Sequence, residues 1–206
     1  MINGLTFDEE QHIYRINGKR KTSVSDMLKI YDSIHYGGIS PKIMFEAAER
    51  GSRVHSFTEQ YDLSKDFDVA EFREENQDID GYILAYLRFC QEQGNAFYCV
   101  EEPFYSTEFD YCCTVDRIRP IFNKRLGVVR EAVVDIKTTK TVLSFRNQLQ
   151  LTLDGIAVYG LENYHKHDYY VLHLSAYGDY ELIEVEPLSK DFICFFIELY
   201  RKIKKG

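Results

Sequence analysis

The stretch Val133-Val134-Asp135-Ile136-Lys137-Thr138-Thr139 carries the residue types and spacing best suited to chemistry. Two β-branched residues run into an acid, an apolar residue, a lysine and two threonines. In a strand, successive side chains alternate between faces. Asp135 and Lys137 therefore share one side, and Val134 and Ile136 turn to the other. Taken alone, such a pair is more often an ion pair on a solvated strand than a functional unit. The alternative is a cation-binding acid beside a lysine that handles a water or a phosphate, which requires a further acid from a neighbouring strand. Asp116 supplies one. It stands in Tyr111-Cys112-Cys113-Thr114-Val115-Asp116-Arg117-Ile118, among apolar and β-branched residues, where an unpaired carboxylate is costly.

Three strands must bring these acids together. Ala96 to Tyr105 is the first, with Glu101 and Glu102 near its middle; Tyr111 to Ile118 is the second, and Val128 to Lys137 the third. Turns around Thr107 to Asp110 and Phe122 to Gly127 predict an antiparallel meander with Asp116 beside Asp135. A helix is expected over Phe145 to Leu161, burying Leu149, Leu153, Ile156, Ala157 and Gly160. Arg146, Gln150 and Asp154 form a separate polar row on it. That row is either a surface salt-bridge ladder or a set of groups facing a scissile phosphate. Upstream, Leu5 to Ile16 reads as a hairpin, Asn17-Gly18 as a turn, and Ser23 or Ser25 as the cap of a helix with Met27, Leu28 and Ile30. Ser40-Pro41 opens another helix. On it His55 and Glu59 stand four apart and share a face. A lone helical histidine is more often structural, but Glu59 is placed to orient its ring. Val69 to Gln93 reads as one long packing helix ended by Gly94. Tyr169 to Leu174 and Tyr180 to Val185 are further strands, and Ser189 caps a last amphipathic helix.

The totals agree with a single domain over 1–206, the hairpin and helices of about 1–45 packing on the rest. Hydrophobic residues make up 45% and charged residues 28%, an ordinary globular mixture. A formal charge of −8 argues against gripping nucleic acid by net charge alone. It leaves nucleic acid open, because acids that hold divalent cations count as negative until the metal binds. Basic clusters at Arg15 to Lys21, Arg117 to Arg125 and Arg201 to Lys205 read first as solvated faces. The five cysteines include no C-x-x-C, so reduced core thiols are expected rather than disulfides or zinc. No signal peptide or membrane span is read, and a cytoplasmic protein with no membrane partner is expected. No phosphate-binding glycine loop is present, so no nucleotide is expected.

The order helix, three-stranded meander, helix, strand, with D-x-K on the third strand, resembles the PD-(D/E)XK nuclease superfamily. More narrowly it is similar to the RecB-like and phage exonuclease branch, which includes lambda exonuclease. The segment from Gln11-His12-Ile13-Tyr14 to Lys21-Thr22-Ser23-Val24-Ser25 looks like the start of phage and prophage members. Gly51 to Glu59 matches the branch's G-x-x-x-H-x-x-x-E helix, Thr114 to Ile118 its first metal-binding acid, and Val134 to Thr138 its D-x-K-T core. Gln148-Leu149-Gln150-Leu151 matches its glutamine-bearing helix. These blocks span most of the chain in the family's order. Two features depart. Asp154 stands where the branch often has tyrosine, and of the cysteines only Cys194 lies near the C-terminus, so the iron–sulfur cluster of some relatives is not expected.

The resemblance implies an α+β protein with α/β/α layers: a restriction-endonuclease-like core whose central mixed sheet holds a three-stranded antiparallel meander flanked by helices. It implies a Mg²⁺- or Mn²⁺-dependent deoxyribonuclease with one or two ions. His55, Asp116, Asp135 and the carbonyl of Ile136 would bind the metal. Lys137 would act on the attacking water or the developing charge, and Gln150 would position Lys137 or the phosphate. Glu101 is either a ligand of a second ion, directly or through water, or a solvated strand acid; Glu59 would orient a ligand. Arg53, Thr138 and Arg146 would contact DNA. The implied role is an exonuclease acting on DNA ends in phage or prophage recombination or repair. Its partners would be DNA, a single-strand annealing recombinase or single-strand-binding protein, and further copies of the chain. A structure-specific endonuclease, or a non-catalytic DNA-binding subunit that keeps the fold, are the alternatives.

Overall fold

The structure is a computed structural model that describes residues 4–8, 11–35, 37–140, 142 and 144–205. Strands β1 (Leu5–Asp8), β2 (Ile13–Ile16) and β3 (Lys19–Arg20) form a small antiparallel sheet. It carries the expected hairpin and the Asn17-Gly18 turn, both of whose residues take positive φ. The short β4 (Thr22–Ser23) then enters the main sheet and leads into α1 (Val24–His35). Ser23 caps that helix: its Oγ accepts from Asp26 N at 3.0 Å, and the Asp26 carboxylate accepts from Ser23 N at 3.3 Å.

Helix α2 (Pro41–Leu63) follows, with Pro41 in its first turn. The expected long helix over Val69 to Gln93 is broken into α3 (Val69–Glu75), a single 3₁₀ turn at Gln77–Ile79 and α4 (Asp80–Gln93). The break falls at Asn76, whose side chain and backbone N–H both donate to Phe72 O, at 2.9 and 3.1 Å; asparagine is a residue type that favours such helix ends over helix interiors.

The meander is β5 (Cys99–Ser106), β6 (Tyr111–Asn123) and β7 (Val128–Lys137). Strand β6 runs five residues past its expected end at Ile118. Pro120 does not stop it, because β5 ends opposite Ile118 and β7 alone pairs beyond. Helix α5 (Ser144–Tyr159) crosses from β7 to β8 (Asp168–Leu174), which lies parallel to β7; β9 (Tyr180–Glu184) turns back antiparallel, and α6 (Lys190–Lys205) closes the fold. The main sheet is mixed, in the order β4–β6–β7–β8–β9, with β5 on the other edge of β6.

Helices cover both faces. One core joins α1, α5 and α6 to the sheet through Met27, Leu28, Leu149, Leu153, Ile156, Ile193 and Ile197. The other joins α2 and α4 through Val54, Phe57, Ile83, Tyr86 and Phe89. The chain is therefore α+β, a mixed sheet flanked by helices. Gly155 lets α5 lie on the sheet, since a Cβ there would stand 2.1 Å from the Tyr169 hydroxyl. Among the described residues, no helix is long and apolar enough to cross a membrane.

Candidate active site

The site forms where β6 and β7 part. Their ladder runs from Asn123↔Val128 to Arg117↔Val134 and stops. The next pair would set Asp116 directly against Asp135, and like charges in facing positions are destabilising. Beyond that point β7 pairs with β8 alone. The Asp116 carboxylate takes the place of the ladder bond: its Oδ2 accepts from Ile136 N at 2.7 Å.

Strand β6 also slips its alternation here. Val115 and Ile118 pack in the same core although they are three apart. Opposite Asp116, Glu101 adopts φ +47°, and the β5–β6 register skips this pair between Val100↔Arg117 and Glu102↔Val115. A left-handed glutamate inside a strand is uncommon and marks a position held by its surroundings.

Five elements meet at this gap. Helix α2 brings His55, whose Nδ1 lies 3.1 Å from Glu101 Oε1 and 3.8 Å from Asp116 Oδ2, and whose Nε2 lies 3.2 Å from the Ile136 carbonyl oxygen. Ligand atoms of His55, Glu101 and Asp116 lie within 4.8 Å of one another. Asp135 and Lys137 share a face of β7, as strand alternation predicts, with Lys137 Nζ donating to Asp135 Oδ1 at 2.7 Å. Helix α5 adds Gln150, which donates to Asp135 Oδ1 at 2.7 Å and accepts from Lys137 Nζ at 3.4 Å.

The row Arg146, Gln150, Asp154 is thus no surface ladder. Gln150 faces the acids, and Asp154 is buried and feels the charge of Asp135. The carboxylate on the histidine ring is that of Glu101, from a different element; Glu59 lies half-buried further along α2.

The electrostatics are those of crowded acids, mostly withdrawn from water. Burial pushes the Asp116 and Asp135 carboxyls above the usual carboxylate range, with His55 drawing Asp116 back and Lys137 drawing Asp135 back. Burial, reinforced by Asp135, pushes Asp154 further still. Burial opposes a charge on His55, but Asp116 and Glu101 outweigh it and raise the ring to about 9. Among the described residues, Asp135 Oδ2 is buried without a hydrogen-bond donor. An ionised oxygen left that way calls for a cation. The residues fit one: carboxylates and a carbonyl around a single imidazole are mainly hard oxygen donors, which suit Mg²⁺ or Mn²⁺.

Of the three residues expected to contact DNA, the two arginines have protein partners and the threonine is buried. Arg146 makes two bonds to Asp32 of α1, at 2.7 and 3.1 Å, and a third to Gln150 at 3.1 Å. Arg53 forms a fork with the Asp78 carboxylate. Thr138 is buried, and a Cβ on Gly51 would come within 3.8 Å of its hydroxyl.

Sequence reasoning passed over a second group. Arg117, next to Asp116, is 1% exposed and reaches the other way, into α2. It donates from Nε to Asp62 Oδ2 at 2.6 Å, from one terminal nitrogen to Thr58 Oγ1 at 2.9 Å, and from the other to Glu101 Oε1 at 3.0 Å. Tyr86 OH also donates to Asp62, at 2.5 Å. A signal existed: His55, Thr58 and Asp62 stand at i, i+3 and i+7, one face of a helix.

No protein-family model matches the chain, and no curated protein matches it. Among solved structures it is similar to that titled crystal structure of SSO0001, at 12% identity and TM-score 0.46, over 89% of this chain and 76% of that one. That likeness is too distant to carry a fold or a function.

Proposed function

We propose that the chain is a metal-dependent nuclease that hydrolyses phosphodiester bonds in DNA, and that it acts on DNA ends. The observation that carries this reading is the gathering of His55, Glu101, Asp116, Asp135 and Lys137 where the paired strands β6 and β7 part. The family resemblance of the same residues points the same way.

In this reading Asp116, Asp135, His55 and the Ile136 carbonyl hold Mg²⁺ or Mn²⁺. A cation so bound lowers the pKa of a water and offsets charge on the phosphate. Asp135 and Gln150 fix the Lys137 ammonium from two sides, so it meets the attacking water or the developing charge without reorganising. Gln150 does double duty, since its amide donates to Asp135 while its carbonyl faces Lys137. Asp116 lends Oδ2 to a backbone N–H and keeps Oδ1 for the cation. Its neighbour Asp135 keeps Oδ2.

The test uses end-labelled linear DNA and covalently closed circular DNA, each with Mg²⁺, Mn²⁺ or EDTA, beside Lys137→Ala. Loss of the linear substrate alone, abolished by EDTA and slowed at least about a hundredfold by the substitution, is expected. Cutting of the circle moves the reading to an endonuclease. Binding without cleavage points to a non-catalytic subunit. Cleavage that survives Lys137→Ala removes the mechanism.

A further inference from the structure

We propose that Arg117 is a positioning residue that holds Glu101 as a cation ligand beside His55 and Asp116. The inference rests on the metal-nuclease reading and adds to it a third protein carboxylate and the device that aims it. Three observations combine. Glu101 sits in a backbone conformation that side chains rarely adopt, within a strand, so something outside the strand must hold it. The guanidinium of Arg117 bonds its Oε1 at 3.0 Å, on the same oxygen that faces His55 Nδ1 at 3.1 Å, which leaves Oε2 for a cation. Arg117 is itself fixed, because three further N–H groups donate to Asp62 and Thr58 of α2 and to the Asp116 carbonyl.

The arrangement is a bracket. Strand β6 supplies Asp116 to the site from one side chain and, from the next, an arginine that ties β5 to α2. Helix α2 supplies His55, and the same helix supplies Thr58 and Asp62 to hold the arginine. Glu101, His55 and Asp116 come from three separate elements, β5, α2 and β6, and Arg117 bonds a residue of each. A planar fork with several donors suits this task; a lysine, with one point charge on a flexible stem, does not. Partners that orient a ligand in this way typically govern metal affinity by about ten- to a hundredfold.

The experiment measures Mn²⁺ affinity directly by electron paramagnetic resonance, without DNA, for the unaltered chain, Asp116→Asn, Glu101→Gln, Arg117→Gln, Arg117→Lys and the double variant Glu101→Gln/Arg117→Gln. Circular dichroism in EDTA accompanies each. Glu101→Gln and Arg117→Gln are each expected to weaken Mn²⁺ about tenfold or more. The double variant should be no weaker than Glu101→Gln, because the arginine acts through that carboxylate. Arg117→Lys keeps a charge beside Asp62, so the fold survives, yet it should still lose most of the affinity. Full affinity in Arg117→Lys, or additive losses in the double variant, would overturn the proposal while leaving the nuclease reading intact. An unaltered chain that binds no Mn²⁺, or whose binding ignores Asp116→Asn, sinks the metal reading itself and this proposal with it.

Discussion

Two arginines stand two residues apart on β6, point to the same side of the sheet, and are almost fully buried, yet they live in opposite settings. Arg117 is surrounded by carboxylates and a hydroxyl: Asp62, Glu101 and Thr58. Burial works against its charge, but Tyr86, Asp62 and Glu101 around it win, and its pKa rises. Arg119 bonds no carboxylate among the described residues. Its guanidinium lies between the rings of Phe89 and Phe97, 4.5 and 4.8 Å from their centroids, and donates to the carbonyls of Gln93 and Gly94 at the end of α4. Burial lowers its pKa, and its Nε and one terminal nitrogen find no partner among the described residues. A buried arginine that closes a helix serves the fold alone. A buried arginine wired to a strained acid beside a histidine is placed to serve chemistry. Residue type and burial do not separate the two cases; the partners do.

The largest expected effect is on Arg117. Replacing it with leucine leaves Asp62 buried and unpaired, and breaking such a pair costs about 3–5 kcal/mol. Replacing both members, as Arg117→Met with Asp62→Leu, removes the stranded charge and should recover much of that loss in urea unfolding. Mn²⁺ affinity should not recover, because Glu101 is still unheld. Recovery of both would make Arg117 another Arg119. The converse experiment is Arg119→Met. It gives up two bonds to helix carbonyls and the ring contacts, about 1–2 kcal/mol. A fall in melting temperature with unchanged Mn²⁺ affinity keeps the two arginines distinct; a loss of affinity would merge them.

Asp154 sharpens the contrast from the far side of the site. It is a buried acid without an arginine, raised by burial and by Asp135. Its protonated form is favoured by folding, so the folded state binds more protons than the unfolded one above the ordinary value of 3.8. Stability is then fully present below that pH and falls as pH rises towards the folded pKa, by up to about 1.4 kcal/mol per pH unit for one proton. Asp154→Asn should flatten this part of the profile. Urea midpoints between pH 5 and 8, in EDTA, measure it; an unchanged slope means that Asp154 is ionised in the folded chain.

Much of this was legible in the sequence, but unevenly. The alternation of Val134, Asp135, Ile136 and Lys137 places the acid and lysine on one face because period two is a property of any strand. The meander, the proline-led helix and the serine cap are equally local. What the sequence hides are consequences of pairing. The parting of β6 and β7 depends on which residues would have faced each other, and the slip at Asp116 and the left-handed Glu101 follow from it. Arg117 looked like one member of a basic cluster because its partners lie 16 to 59 residues away. The helix break falls at Asn76, between Phe72 and Ile79, which stand at helical spacing as if the helix ran on. Arg146 and Arg53 looked available to DNA because their partners, Asp32 and Asp78, are separated from them by 114 and 25 residues.

Arg53 offers the smallest effect and completes the series from buried to exposed. Its fork with Asp78 is a surface pair: the side chains are 33% and 65% exposed. Pairs of this kind contribute about 0–1 kcal/mol, because water and salt screen them and ordering two side chains is costly. Asp78→Ala should therefore leave the urea midpoint nearly unchanged, in contrast to any change at Asp62. If Arg53 takes a DNA phosphate during function, Asp78 competes with that phosphate for the same fork. Removing it should then tighten DNA binding in Ca²⁺ or EDTA and steepen the dependence of log affinity on log salt by about one, the increment for one phosphate contact. An unchanged salt slope would assign Arg53 to the junction of α2 with the segment before α4. The ion pair would then be structural on the surface, as Arg119 is in the core, and recognition of DNA would rest on other cations.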